Sequence, residues 1–187
     1  MWLPLLAACF PPWNVVVQQE PNPLVGVKRV DFATPTFYRL DVGQVPEAEY
    51  LARKSERQKA DWSEDKRLFG EEYRRAATVE AARCDLQLDA PGGPGTHTVA
   101  SSVGYIEPGF YAGMVSIPSE VRMTVVVTRA GEIAEEIAVG HGTEPGSFTI
   151  GPIPIPTAPS VTDRLRADGA ALGRVVGQYL CVRKQGR

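Results

Sequence analysis

Residues 121 to 128 read VRMTVVVT, and this segment has the strongest pattern of a β-strand in the chain. Its β-branched residues favour the pleated, half-buried surface of a strand. Arg129-Ala130-Gly131-Glu132 follows as a turn, and residues 133 to 139 (IAEEIAV) run back along it as a second strand. We therefore predict a hairpin here.

Four further segments upstream of the hairpin have the composition of strands. They are Leu24 to Phe32, Phe37 to Val42, Asp85 to Ala90 and Thr96 to Ile106. Downstream, residues 151 to 159 (GPIPIPTAP) contain too many prolines for a central strand, because proline has no backbone N–H to donate to a neighbour. This segment is predicted to be a linker or a protected edge.

A long helical stretch is predicted from Pro46 to about Arg83, since proline suits a first helical turn. Its apolar residues fall on one face at helical spacing, and the rest of the stretch is densely charged. Asp61 or Ser63 is suited to cap a second segment, which predicts a break near Trp62. The apolar face consists of Leu51, Trp62, Phe69, Tyr73, Ala76 and Ala77.

The last helix is predicted to begin at Ser160, with Asp163 completing a start that resembles a capping box. Gly169 and Gly173 lie beside its apolar face, where their missing side chains would let the helix approach a sheet closely. The apolar face consists of Leu165, Leu172, Val176, Tyr179 and Leu180.

The order of elements is strands, a long helix, several strands and a final helix. This order predicts an α+β fold in which an antiparallel or mixed sheet carries the long helix and the C-terminal helix on one face. It is similar, in element order alone, to small periplasmic lipoprotein domains of the TolB N-terminal and transporter-auxiliary kinds. That likeness transfers no functional residue. A length of 187 residues fits one domain with an arm.

The N-terminus carries Leu6-Ala7-Ala8-Cys9, which resembles the lipobox of bacterial lipoproteins. The resemblance implies that residues 1–9 are a signal-peptide remnant and lipobox, that Cys9 carries acyl chains such as palmitate, and that the protein sits on the periplasmic face of the outer membrane. Residues 10–23 are rich in proline and predict a spacer, which leaves 24–187 as a single periplasmic domain. The alternative is a chance apolar N-terminus that forms a short buried strand.

Two cysteines remain once Cys9 is assigned to the anchor. Cys84 and Cys181 are a candidate disulfide, because an even number of cysteines in an oxidising compartment favours pairing. The alternative is that both are buried free thiols that behave as small hydrophobic residues.

Candidate chemistry is sparse. His97 and His141 have no second histidine or cysteine at ligand spacing, so we expect surface histidines, no metal and no cofactor. Ser63 and Lys66 match the Ser-x-x-Lys pattern of penicillin-recognising enzymes, but the companion motifs of that family are missing. A net charge of −2 gives no general attraction to nucleic acid. The sequence therefore predicts a protein that is not an enzyme.

One segment mixes aromatic residues with glycines and predicts a partner-binding surface formed by Tyr105, Glu107, Phe110, Tyr111 and Met114. The alternative is that these side chains cap the protein's own core. The leading functional hypothesis is a membrane-anchored envelope lipoprotein that acts as an interaction or assembly subunit, through an envelope partner or self-association. The second is a periplasmic module that binds a lipid or small apolar ligand between sheet and helices, and the third is an enzyme with unrecognised residues.

Overall fold

The computed structural model describes residues 12–92, 96–112, 115–142, 146–150, 153–157 and 160–186. In chain order the elements are β1 (Trp13–Gln18), β2 (Arg29–Phe32), β3 (Asp41–Val42), β4 (Val45–Pro46), α1 (Glu47–Ala52), α2 (Glu56–Ala82), β5 (Gln87–Asp89), β6 (His97–Glu107), β7 (Phe110–Ala112), β8 (Val115–Ile117), β9 (Glu120–Arg129), β10 (Glu132–His141), β11 (Gly146–Ile150), β12 (Ile153–Thr157) and α3 (Val161–Lys184). The predicted α+β fold is confirmed.

The main sheet has eight strands and is mixed. Its central order is β1-β10-β9-β6-β2-β5, with β3 beside β6 and β4 beside β3. The predicted hairpin is β9–β10, whose register begins with Arg129 opposite Glu132. Strand β6 runs antiparallel to β9 but parallel to β2 and β3. Two further hairpins, β7–β8 and β11–β12, form separate two-stranded sheets.

One face of the sheet packs against the two long helices. Alternate residues of β9 are buried on this face, as the period-two geometry of a strand requires. From the helices, Phe69 and Tyr73 of α2 and Leu172 and Tyr179 of α3 are fully or almost fully buried in the same core. Phe32 of β2 stacks on Tyr73 with ring centroids 5.5 Å apart. The predicted apolar faces of both helices are therefore the ones that meet the core.

Helices α2 and α3 run parallel and very close together. A Cβ built on Gly169 would lie 2.6 Å from the Phe69 carbonyl oxygen, and one on Gly173 would collide with the carbonyl oxygen of Tyr73. The prediction that these glycines let the helix approach a sheet was wrong: they let α3 approach α2. The spacing of the glycines shows that one face of the helix lacks bulky side chains. It does not show which element packs against that face.

The predicted break in the long helix was placed wrongly. Trp62 lies inside α2, and the chain breaks instead between Ala52 and Glu56. Ser55 caps α2, because its hydroxyl accepts a hydrogen bond from the Gln58 backbone N–H and the Gln58 side chain accepts one from the Ser55 N–H. This reciprocal capping box satisfies two backbone donors at once and so sets the start of the helix.

The predicted spacer contains a strand. Within residues 10–23, β1 pairs antiparallel with β10 and forms an edge of the sheet. Val15, Val16 and Val17 explain the error, because three consecutive β-branched residues favour an extended pairing strand despite the flanking prolines. The domain therefore begins by residue 13 rather than at residue 24, and the stretch between Cys9 and the first strand is short.

The expectation of two surface histidines holds only in part. His97 opens β6 and is buried, whereas the His141 side chain is 38% exposed at the end of β10. His97 lies in the strand predicted from Thr96 to Ile106, where it is paired with Arg129 of β9. Burial, together with the charge of Arg129, lowers the pKa of His97.

Candidate functional site

Four strand termini meet at one end of the domain, which we call the Trp13 end. Strand β1 begins there at Trp13, β10 ends at His141, β6 ends at Glu107 and β9 begins at Glu120. The registers place Glu107 opposite Glu120, His141 opposite Val121 and Trp13 opposite Val139, two residues before the end of β10. The candidate site therefore lies at the end of the sheet where these four strands begin or end.

The predicted anchor lies next to this end in the chain. Leu6-Ala7-Ala8-Cys9 falls outside the described residues, but Cys9 precedes Trp13 by only four positions. An extended chain covers about 3.5 Å per residue, so a connection of four residues can span at most ~14 Å. Trp13 itself is fixed to the domain, since its ring lies edge-on against Tyr179 of α3 with centroids 5.5 Å apart.

The predicted partner-binding residues are divided between the sheet and the hairpin that follows it. Tyr105 and Glu107 lie on β6, whereas Phe110 and Tyr111 lie on β7 and pair with Ile117 and Ser116 of β8. Met114 lies outside the described residues. The segment therefore turns away from the main sheet at the Trp13 end instead of continuing as one strand.

Tyr105 and Glu107 have distinct surroundings. The Arg122 guanidinium lies 4.7 Å from the centroid of the Tyr105 ring, and Arg122 is paired with Glu120 at 2.6 Å. Partial burial, with the charges of Glu107 and Glu120, raises the pKa of the Tyr105 hydroxyl. Glu107 accepts a hydrogen bond from the Gly109 N–H at 3.1 Å. Tyr105 therefore belongs to a charged surface group, while Glu107 shapes the turn into β7.

The face of the sheet opposite the helices carries an open cavity of about 570 Å³ beside Tyr105. Small or polar residues form much of its floor, so the surface is shallow and mixed in polarity. It is bordered by Trp13 and Asn14 on β1 and by Arg122 on β9. Its shape suits an extended segment or a flat surface more than an enclosed apolar ligand.

A network at the Trp13 end joins α3 to the strand termini. The Asp168 carboxylate is fully buried; it accepts a hydrogen bond from the Ser119 hydroxyl at 2.8 Å and lies 2.8 Å from His141 Nδ1. Arg164 donates from Nε and from a terminal nitrogen to the Pro108 carbonyl oxygen, at 3.1 and 2.9 Å. Both interactions fix the connection that leads from β6 through β7 and β8 to β9.

This network contains serine, histidine and aspartate but is not arranged for nucleophilic catalysis. The Ser119 hydroxyl donates to Asp168 rather than to His141, and Ser119 is almost fully buried. A nucleophile needs a base within hydrogen-bond reach and access to a substrate. The sequence did not reveal this network, because its members are 27 and 49 residues apart and carry no local motif.

A second buried network fixes α3 to strand β10. Glu135 has no solvent exposure; it accepts hydrogen bonds from the Tyr179 hydroxyl at 2.5 Å and from Arg183 Nε at 2.7 Å. Burial and the Glu135 carboxylate raise the pKa of Tyr179. Burial alone would lower the pKa of Arg183, but the hydrogen bond and charge of Glu135 outweigh it and raise that pKa. Arg183 is therefore held in its charged form beside Glu135.

Cys84 and Cys181 form a disulfide, with Cα atoms 5.7 Å apart. The bond joins Cys84, two residues after the end of α2, to the last turns of α3. The Lys184 ammonium adds hydrogen bonds to the carbonyl oxygens of Cys84 and Asp85. The two parallel helices are thus joined covalently at their C-terminal ends.

Within the part of the chain that the structure describes, no group of three or more potential metal ligands occurs. No helix among those residues is both long and apolar enough to cross a bilayer.

No protein-family model matches this chain, and no curated protein matches it. Several solved structures resemble it at low identity and with TM-scores below 0.5. A Xanthomonas campestris protein of family DUF330 is 12% identical with a TM-score of 0.47, covering 91% of this chain and 92% of that one. The PelC dodecamer from Paraburkholderia phytofirmans is 6% identical with a TM-score of 0.46, covering 88% and 97%.

A third solved structure is a candidate lipoprotein from Caulobacter crescentus CB15. It is 19% identical with a TM-score of 0.38, covering 64% of this chain and 85% of that one. Identities and TM-scores in this range assign no family, partner or functional residue to this chain.

Proposed function

We propose that this protein is a lipid-anchored subunit of a bacterial cell envelope that acts through protein contacts and not through catalysis. The observation that carries the proposal is the position of Cys9 directly before the domain. The lipobox-like residues Leu6 to Cys9 end only four positions before the first strand of the sheet, so an acylated Cys9 would hold the Trp13 end close to a membrane.

The disulfide supports an extracytoplasmic location. Stable disulfides persist in oxidising compartments such as the bacterial periplasm and are rare in the cytosol. The Cys84–Cys181 bond closes a loop with a sequence separation of 97 residues and is built into the contact between two core helices. A bond of this kind suits a structural role in a secreted domain.

The contact surface proposed for a partner includes Tyr105, Phe110 and Tyr111, with Met114 and Glu107. Tyr105 is only partly buried and sits with Arg122 and Glu120 at the rim of the open sheet face. An aromatic ring beside a charged pair is typical of protein interfaces, which are enriched in tyrosine and arginine. The partner is an envelope protein or a second copy of the chain.

The alternative function, an apolar ligand held between sheet and helices, has weaker support. Phe32, Phe69 and Tyr73 fill that space with ring-to-ring contacts at 5.5 and 6.4 Å. The cavity of about 570 Å³ lies on the opposite face and is lined partly by charged groups. A ligand site of the predicted kind would need apolar walls on several sides.

The anchor is tested by changing Cys9→Ala in the full reading frame and separating membranes from soluble protein. We expect the variant to move to the soluble fraction, because the acyl chains supply the lasting membrane affinity. Phe10→Ala is the matched control and should remain with the membrane. A Cys9→Ala protein that still fractionates with membranes would contradict the anchor.

The contact surface is tested by the double change Phe110→Ser with Tyr111→Ser. If the pair contacts a partner, the free energy of unfolding should change by less than about 1 kcal/mol while association falls. Tyr38→Ser is the matched control, since Tyr38 is a 67% exposed aromatic residue outside this surface. A loss of several kcal/mol in stability would instead place both side chains in the core.

A further inference from the structure

Strand β1 forms one edge of the main sheet and has an unusual composition for an edge. Among the described strands it pairs with β10 alone, so the other side of its backbone has no strand partner there. Residues 13 to 19 (WNVVVQQ) contain neither a charged residue nor a proline. Native edge strands commonly carry such residues, because their unpaired N–H and C=O groups otherwise pair with another chain. The β1 edge is therefore open to pairing.

Three consecutive valines of β1 are exposed to solvent. The exposed fractions are 47% for Val15, 59% for Val16 and 40% for Val17. Such β-branched side chains favour a strand that is paired on both sides, and contact with a second strand would remove their apolar surface from water. The strand is already held to the domain at Trp13, whose ring packs against Tyr179. The valines are thus presented on an ordered strand that needs little further ordering to bind.

The opposite edge of the sheet does not offer an equivalent surface. Strand β5 has only three residues, Gln87 to Asp89, and an ion pair between Arg29 and Asp89 at 2.9 Å places charge there. A second copy could form few hydrogen bonds along so short a strand. Two β1 strands, in contrast, meet without like-charge repulsion because neither carries a charge. The partner that best matches the β1 edge is therefore the β1 strand of a second copy.

We propose that two copies of this chain associate by antiparallel pairing of their β1 strands. The same surface is used on both copies, so a twofold axis relates them. This axis is perpendicular to the sheet, and the two main sheets become one continuous sheet with the helices of both copies on the same face. The two Trp13 residues are equally distant from any plane perpendicular to the axis. One bilayer that lies parallel to such a plane can therefore hold both chains by their anchors.

The contact is expected to be weak and reversible. The register of β1 with β10 shifts between Val15 and Val17, and a bulge of this kind bends a strand and shortens the length that pairs regularly. A short edge contact also buries less than the ~1,200–2,000 Å² of stable complexes. The interface is separate from the segment Tyr105 to Met114 and requires no lipid. It therefore adds to the proposed function and does not depend on it.

Sedimentation velocity over a dilution series tests this contact in the full chain. All the proteins carry Cys9→Ala, so that acyl chains do not drive association. The test variant is Val16→Lys, which places a charge on the β1 edge of each copy. The matched control is Val79→Lys on α2, because Val79 is a valine of similar exposure at 54%. Hydrogen exchange of the backbone amides of residues 12–19 is measured by mass spectrometry at the lowest and highest concentrations.

We expect the protein with an unchanged β1 strand and the Val79→Lys control to shift from monomer towards dimer as the concentration rises. The Val16→Lys protein should remain a monomer. Exchange in residues 12–19 should slow several-fold at the higher concentration only in the proteins that dimerise, because outward N–H groups of β1 then become hydrogen-bonded.

A monomer at every concentration would overturn the inference, and so would dimerisation of the Val16→Lys protein. An equal loss of association in Val79→Lys would overturn it as well, since added charge and not the β1 edge would then be the cause. Exchange in residues 12–19 that does not depend on concentration would place the contact on another surface and would also overturn it. Failure of the lipid anchor in the wild-type protein would leave all of these outcomes unchanged.

Discussion

The Trp13 ring lies edge-on against the Tyr179 ring, with centroids 5.5 Å apart and planes inclined by 74°. This contact joins the first described strand to the last helix, so β1 is part of the packed domain and not a flexible arm. A lipid on Cys9 would therefore act on the whole domain through a short connection.

Trp13→Ala should lower the free energy of unfolding by about 2 kcal/mol, because it removes an aromatic pair and partly buried apolar area. Val16→Ala is the control on the same strand; its side chain is largely exposed, so we expect a change within about 0.5 kcal/mol. Urea denaturation measures both. Equal effects at the two positions would show that the Trp13 contact does not hold β1.

Gly169→Ala should destabilise the protein by about 2 kcal/mol, even though alanine favours a helix over glycine by ~1 kcal/mol. The added methyl would lie 2.6 Å from the Phe69 carbonyl oxygen, so α3 would have to move away from α2. Gly104→Ala is the control, because its added Cβ would meet open space. A Gly169→Ala protein with a higher melting temperature would contradict the close helix contact.

Removing the disulfide by Cys84→Ser with Cys181→Ser should cost about 4.7 kcal/mol in stability. Loop-closure entropy gives this magnitude for a crosslink whose ends are 97 residues apart. Wild-type protein should show a lower melting temperature in reducing than in oxidising buffer, whereas the double variant should melt at the same temperature in both. Two free thiols in the mass of the unreduced wild-type protein would refute the bond.

Acidification should destabilise the protein through His97. Burial and the charge of Arg129 lower the pKa of His97 in the folded state, so the unfolded chain, with a value near ~6.5, takes up the proton first. Stability is then fully present above about pH 6.5 and is lost as the pH falls below that value. The drop in melting temperature from pH 7.5 to pH 5.5 should be smaller in His97→Gln. An unchanged drop would exclude this histidine as its source.

Much of the fold follows from local sequence patterns. The β9–β10 hairpin joins strong β-formers through a short turn, and the apolar faces of α2 and α3 repeat at helical spacing, so these elements need no distant partner to be recognised. Strand β1 was mistaken for spacer because its pairing partner β10 is more than 100 positions away and prolines flank it.

The candidate site was harder to predict from the sequence than the fold. The Asp168 carboxylate that joins Ser119 and His141 belongs to a different element from either partner, and only the packing of α3 brings the three together. The aromatic segment around Tyr105 was recognisable by composition. Its division between the sheet and the β7–β8 hairpin was not, because Gly109 turns the chain with a positive φ of 74° that no residue pattern there required.

We propose that Cys9 carries lipid and holds the Trp13 end at a membrane. The most direct test is the mass of the N-terminal peptide from protein expressed in bacteria with its full reading frame and isolated from the membrane fraction. We predict a peptide that begins at Cys9 and carries the added mass of diacylglycerol and an amide-linked acyl chain. A peptide that retains Leu6-Ala7-Ala8 before an unmodified Cys9 would contradict the lipid anchor.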